Sequence, residues 1–187
     1  VMRVLRDSVE ANVERFASSE YPAKCISEWC RSNLDIPIEP DRIRGDDIEE
    51  IQESIRRRAI SESREQITTS LGEYIIEDAP PEEWDVRGLS EWAQRTFNVN
   101  VTQNQLRKMD PAEISDWLTD SAQKHFESVE LDGIAPYLED SYPRAMLAEW
   151  SRSTFGIELA SDELKDKSAG EMVETIMNRL TETYEKR

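Results

Sequence analysis

The sequence ISEWCRSNLDIPI at residues 26–38 recurs in altered form, as LSEWAQRTFNVNV at 89–101 and as LAEWSRSTFGIEL at 147–159. Each copy has a Glu before its Trp and an aliphatic residue three positions before it. Apolar residues follow at five, seven and nine positions after the Trp. The tryptophans are 63 and 58 residues apart, and a recurring period of this kind indicates a tandem structural repeat.

The repeat predicts an all-α fold. We expect a tandem array of three modules, each of which packs against its neighbour for stability. We expect the modules at residues 1–66, 67–129 and 130–187. Tyr74 lies eighteen residues before its Trp, whereas Phe16 and Tyr137 lie thirteen before theirs. The middle copy therefore carries a five-residue insertion near Pro80. Because the sequence starts at Val1, within the repeat pattern and without an initiator Met, we also expect this chain to be a segment of a longer protein.

Apolar spacing predicts the segments of each module. In the first module it predicts an amphipathic helix over 2–18, with Val9, Val13 and Phe16 as its apolar stripe, and a short Trp helix over 23–33. The alternating apolar residues after each Trp helix indicate either a short strand or an extended segment that presses into a helix groove. Pro37 disfavours a central strand in the first copy.

A closing helix follows in each copy, and each begins with a capping signature. The pairs are Asp47 and Glu50, Asp110 and Glu113, and Ser168 and Glu171. Periodicity predicts that the three helices bury Ile48, Ile51, Ile55 and Ala59; Ile114, Leu118 and Ala122; and Met172, Ile176, Leu180 and Tyr184. The first helix can run unbroken to about Asp78, whereas Gly133 and Pro136 kink or break the next connection.

The composition excludes several classes of function. A net charge of −17 and a pI of about 4.5 argue against nucleic acid and against docking on anionic lipid. The sequence has no apolar run that could insert into a membrane. Two cysteines and one histidine cannot assemble a four-ligand zinc site, and no phosphate-binding Gly-rich loop is present. From its chemistry alone the sequence therefore offers no catalytic, cofactor-binding or metal-binding residue, and its cysteine usage suits a reducing cytoplasm.

The Glu–Trp pairs allow two interpretations. In the first, each Trp packs in the core while its Glu forms a surface ion pair with the Arg three or four residues away, namely Arg31, Arg95 or Arg152. In the second, the three indoles form an aromatic platform that grips a peptide. The second interpretation requires the indoles to be substantially exposed.

Residues 74–101 resemble the helical wing and scaffold region of SecA, the bacterial preprotein translocase motor. The resemblance lies in PPEEWDVRGL at 80–89 and FNVNV at 97–101, which follow that family's P-x-E-W-D-x-x-G-L phrase and its F-x-[LV]-x-[LV] segment. TETYEKR at 181–187 is similar to the family's closing phrase. The middle copy matches best, and the other two match through the repeat.

This resemblance implies a non-catalytic piece of an ATP-driven motor. In the family, the wing lies beside the preprotein-binding domain and helps to shape a clamp around unfolded preprotein. The full-length protein would be cytoplasmic, peripheral to the inner membrane, and dependent on ATP. The nucleotide-binding motifs and the substrate-contacting helical finger are absent here, so no catalytic residue carries over. The family has one wing unit where this chain has three, so the array would be an enlarged wing.

The resemblance also suggests partners, namely unfolded preprotein or translocase components. We predict a partner contact at Trp84, together with Glu82, Glu83 and Asp85. Two alternatives stay open at this stage. One is a stand-alone acidic helical-repeat adaptor that binds a protein partner, and the other is a spacer without a ligand.

Overall fold

The computed structural model describes residues 2–185. Val1, Lys186 and Arg187 lie outside the described residues, so the start of the chain and the last two positions of the closing phrase are not described. The α-helices in the described range are α1 (Met2–Ala17), α2 (Tyr21–Leu34), α3 (Ile48–Tyr74), α4 (Val86–Phe97), α5 (Gln103–Leu106), α6 (Pro111–Ser128), α7 (Tyr142–Phe155) and α8 (Ala169–Glu185). Residues 2–185 contain no β-strand, and the predicted all-α fold is confirmed.

The three copies share the positions at which their helices end and begin. Each Trp helix ends five residues after its Trp, and the next residue has a left-handed backbone. These residues are Asp35, Asn98 and Gly156, with φ values of 54°, 52° and 68°. The segments that follow are extended without strand pairing, and each closing helix begins nineteen residues after its Trp, at Ile48, Pro111 and Ala169. The division into three modules stays a prediction.

The predicted helix caps are present at all three closing helices. The side chains of Asp47 and Asp110 each accept a hydrogen bond, at 2.8 Å, from the N–H of the Glu three residues later. The hydroxyl of Ser168 accepts the equivalent bond at 3.2 Å. The Glu reaches back to the cap residue in the second and third copies. In the first copy Glu50 instead accepts from the N–H of Asp46, at 2.9 Å.

The described chain forms two compact units. Unit 2 comprises Ile26–Gly133, and in it α3 packs against α4 and α6. The long helix predicted from Asp47 to about Asp78 is confirmed as far as Tyr74, since α3 runs through Gly72 and ends four residues before Asp78. The core of this unit includes Ile55, Ile67, Leu89, Phe97, Leu106, Ile114, Leu118 and Phe126. The predicted break between the second and third copies is confirmed by a 3₁₀ segment at Asp132–Leu138.

Unit 1 combines the chain up to Cys25 with the chain from Ile134 onward. Its core is formed where α1 packs against α7 and α8. The predicted apolar stripe of α1 is confirmed, because Val9, Val13 and Phe16 are buried. They lie in one apolar cluster with Leu147, Ile157, Leu164, Val173, Ile176, Met177 and Leu180.

The predicted burial of Tyr184 is wrong, since this residue is 48% exposed. Arg6 of α1 is bonded to Glu174 of α8. Val13, seven residues later in α1, lies near Gly170, which is four residues earlier in α8. The two helices therefore run antiparallel. Tyr184 lies in the last turn of α8, outside the apolar cluster of unit 1, in which the buried residues of this helix end at Leu180. Val173 and Met177 are buried instead, along with the predicted Ile176 and Leu180.

Candidate functional site

Trp84, the centre of the predicted partner contact, closes the turn that follows α3. It stands at the end of a 3₁₀ turn, Pro81–Glu83, and is only 7% exposed. Its indole Nε1 donates to the carbonyl oxygens of Ile76 and Ala79, at 3.0 and 3.1 Å. The buried indole therefore has its polar atom satisfied, and it fixes the chain between α3 and α4.

Asp85 begins α4. Its carboxylate accepts from the N–H of Gly88 at 2.9 Å, and its own N–H donates to the carbonyl of Tyr74 at 2.8 Å. A Cβ added to Gly88 would lie 2.3 Å from the second oxygen of that carboxylate. The spacing D-x-x-G suits helix capping here, because a side chain at position 88 would force the Asp85 carboxylate out of its capping position.

The remaining acidic residues of the phrase face solvent. Glu82 and Glu83 are exposed, whereas Leu89 is fully buried. The same turn exposes Ile76, which is 55% accessible and is followed by the exposed Glu77 and Asp78. Sequence reasoning missed Ile76, which is the second of two adjacent isoleucines before the acidic pair Glu77 and Asp78. The surface available to a partner here is acidic with one aliphatic side chain, and the contact itself stays a prediction.

The three repeat tryptophans pack inside their units. Trp92 is 6% exposed, and Trp29 and Trp150 are half-buried. Tyr74 stacks on Trp92 with ring centroids 5.8 Å apart. A Cβ added to Gly133 would lie 2.7 Å from the Trp29 ring, so the backbone at Gly133 lies directly against that indole. These positions favour core packing over an exposed aromatic platform.

Two of the three predicted Glu–Arg pairs are present. Glu28 pairs with Arg31 at 3.3 Å and Glu149 pairs with Arg152 at 2.8 Å. The hydrogen bond from Arg152 lowers the pKa of the Glu149 carboxyl. The third pair was predicted wrongly: Arg95 bonds to Asp35 at 3.0 Å, and Glu91 bonds to Arg87 at 2.9 Å. The reason is that the end of α2 places the carboxylate of Asp35 beside the last turn of α4.

The side chains of Cys25, Cys30 and His125 are half-buried or buried. Cys25 and Cys30 are free thiols, and burial raises the pKa of Cys30 to about 12, which keeps this thiol protonated. His125 is half-buried beside Phe126, and burial lowers its pKa. In residues 2–185 no three His, Cys, Asp or Glu side chains converge to hold a metal ion. None of the helices in this range is both long and apolar enough to cross a membrane.

The chain is similar to a SecA protein. The protein translocase subunit SecA 1 of Rhodopirellula baltica is 24% identical to it over 182 residues, which cover 97% of this chain. The chain spans only 15% of the length of that relative. No protein-family model matches the chain. No solved structure matches it either.

Proposed function

We propose that this chain is a non-catalytic helical region of a SecA-type protein translocase, corresponding to the helical wing. It acts as a scaffold that helps to hold unfolded preprotein or another translocase component. The observation that carries the proposal is the similarity to SecA 1 over 97% of the chain, which includes residues of both compact units.

The structure of the Trp-Asp phrase supports a scaffold role. Trp84, Asp85 and Gly88 are all used to join α3 to α4, through the indole hydrogen bonds and the helix cap. A rigid connection of this kind presents Ile76, Glu82 and Glu83 at a fixed place on the surface. The acidic net charge of the chain suits a basic or unfolded polypeptide as partner.

The whole protein that contains such a region would work at the cytoplasmic face of the membrane. Hydrolysis of ATP would belong to other parts of that protein. This region would contribute binding surface and shape, and its residues would not touch the nucleotide.

A chimera tests the proposal. The matching region of the Rhodopirellula SecA 1 is exchanged for this chain, and preprotein transport into membrane vesicles is measured alongside ATP hydrolysis. We expect the chimera to transport preprotein. A chimera that hydrolyses ATP normally but moves no preprotein would contradict the proposal and favour the stand-alone adaptor.

A further inference from the structure

A groove with a volume of about 340 Å³ lies between α1 and α8 in unit 1. Buried Val13 of α1 and buried Val173 of α8 supply its apolar lining, and Ala169 and Gly170 also line it. A Cβ added to Gly170 would meet no atom within 4 Å. The groove is therefore open above Gly170, and an aliphatic side chain from a partner has room to enter there.

Charged side chains also line this groove, and their balance is negative. They are Arg6, Glu10, Glu14 and Glu174. Arg6 bonds to Glu174 at 2.7 Å and lies 3.8 Å from Glu10. Glu14 forms no ion pair within the described part of the chain. Three carboxylates against one guanidinium leave a net charge of −2 on the lining.

The N-terminus of α8 does not cancel the negative charge of the groove lining. A helix N-terminus carries a partial positive charge, which by itself would repel a cation. Here the carboxylate of Glu171 accepts from the N–H of Ser168 at 2.7 Å, and the hydroxyl of Ser168 accepts from the N–H of Glu171. The end of the helix is therefore already matched by its own acidic residue.

We propose that this groove binds a basic amphipathic segment of a polypeptide. The segment places an aliphatic side chain over Gly170 and Val173, and a lysine or arginine beside Glu10 and Glu14. The net charge of −17 adds a long-range attraction for such a segment. The inference does not rest on the proposed function, because the groove belongs to unit 1 whereas the predicted contact at residues 82–85 belongs to unit 2.

The dimensions of the groove set the kind of anchor. Its volume is near the lower end of ligand pockets, which range from about 300 to 1,000 Å³. One or two side chains fill it, and the exposed carboxylates supply charge attraction that salt screens. Binding is therefore expected to be modest in affinity and to weaken as the salt concentration rises.

The test uses the full chain and a short fluorescent peptide that contains lysine and leucine. A matched peptide with glutamate in place of each lysine serves as the control ligand. Gly170→Leu fills the groove, and Gly72→Leu is its matched control, since both glycines are exposed, helical and without neighbours within 4 Å of an added Cβ. We expect Gly170→Leu to raise the Kd for the lysine peptide on the order of tenfold, which corresponds to a loss of about 1.4 kcal/mol in binding free energy. Gly72→Leu should leave the Kd unchanged.

A second pair of variants separates the groove from the general charge of the chain. Glu10→Gln with Glu14→Gln changes the net charge as much as Glu65→Gln with Glu73→Gln, which alters exposed glutamates of α3. We expect only the first double variant to weaken binding. Equal weakening by the two double variants, equal effects of the two leucine variants, or equal binding of the two peptides would each overturn the proposal.

Discussion

Asp35 accepts a hydrogen bond from the hydroxyl of Thr96, with 3.0 Å between Oδ2 and Oγ1. The same carboxylate oxygen accepts from Nε of Arg95 at 3.0 Å. Asp35 follows the last residue of α2, and Thr96 is a buried residue in the last turn of α4. A polar contact therefore joins the ends of two Trp helices within unit 2, and its two donors differ in exposure.

This difference in exposure predicts unequal effects of removing the two donors. Thr96→Val removes a buried donor to a charged acceptor, and we expect a loss of about 1.5–3 kcal/mol in the free energy of unfolding. Arg95→Gln removes a partner whose side chain is 66% exposed, so the loss should be at most about 1 kcal/mol. Urea unfolding of both variants measures this difference. A larger loss from Arg95→Gln than from Thr96→Val would contradict the assignment.

The helix cap at Asp85 predicts opposite effects of the same substitution at two glycines. Gly88→Ala places a Cβ 2.3 Å from the Asp85 carboxylate, so the cap is displaced and stability falls by about 0.5–2 kcal/mol. Gly72→Ala lies inside α3 with no atom near its Cβ, and it should stabilise the chain by about 0.5–1 kcal/mol. Thermal unfolding compares the two variants, and stabilisation by Gly88→Ala would show that the cap is dispensable.

The two polar bonds of Trp84 predict that its stability role can be separated from the predicted partner contact. Trp84→Phe keeps an aromatic ring but removes the indole N–H, so the carbonyl of Ala79 loses this donor and the carbonyl of Ile76 keeps only the N–H of Ala79. We expect a loss of about 1–3 kcal/mol in unfolding free energy. Glu82→Gln with Glu83→Gln alters only exposed side chains, and the stability change should stay within about 0.5 kcal/mol.

Peptide titration then decides which residues of the phrase contact a partner. If the contact uses the exposed face, Glu82→Gln with Glu83→Gln weakens the binding of a basic unfolded peptide, while folded Trp84→Phe binds it normally. Unchanged binding by the glutamate variant would remove this phrase as a partner contact.

Interactions between residues close in sequence could be predicted, whereas the packing of residues far apart in sequence could not. The caps of the closing helices depend on residues three apart, and the length of α3 depends on an unbroken run, so both were predictable. The packing of α1 against α7 and α8 joins the two ends of the chain, and no local pattern specifies it. The same limit explains Arg95, because its partner Asp35 lies 60 residues earlier.

At the candidate site, too, the sequence did not show which contacts the fold would make. The resemblance at residues 80–89 led to the predicted partner contact, but the sequence does not state which of these residues the fold uses internally. The turn after α3 brings the carbonyls of Ile76 and Ala79 to the indole of Trp84, and α4 takes the Asp85 carboxylate as its cap. Only Glu82 and Glu83 of the four predicted residues keep free, exposed carboxylates.

Burial of the single histidine predicts a pH dependence of stability. The folded chain has a lowered pKa at His125 relative to the ordinary value of 6.5, so the folded state binds this proton less readily than the unfolded state. The stabilising contribution is complete above about pH 6.5 and declines as the pH falls towards the folded pKa. The difference in unfolding free energy between the native chain and His125→Gln should therefore be constant above about pH 6.5, and the native chain should lose stability relative to the variant as the pH falls below that value. An NMR titration that places the pKa of His125 above 6.5 would refute this prediction.

The first two copies share a serine hydroxyl that donates to a carbonyl in the extended segment. This shared hydrogen bond gives a test of whether the third copy has the same backbone course. Ser27 donates to the carbonyl of Ile38 at 2.5 Å, and Ser90 donates to that of Val101 at 2.7 Å, with the same separation of eleven residues. Both bonds hold the extended segment against its Trp helix. We expect Ser27→Ala and Ser90→Ala each to cost about 1 kcal/mol in unfolding free energy.

Ala148 occupies the equivalent position in the third copy, eleven residues before Leu159. If the third copy follows the course of the other two, the hydroxyl of Ala148→Ser reaches the carbonyl of Leu159. The variant should then be neutral or stabilised by up to about 1 kcal/mol. If the backbone runs differently there, the new hydroxyl at this buried position lacks an acceptor and costs about 1–3 kcal/mol. Urea unfolding of Ala148→Ser therefore tests the tandem repeat directly, because only a superimposable third copy supplies the acceptor.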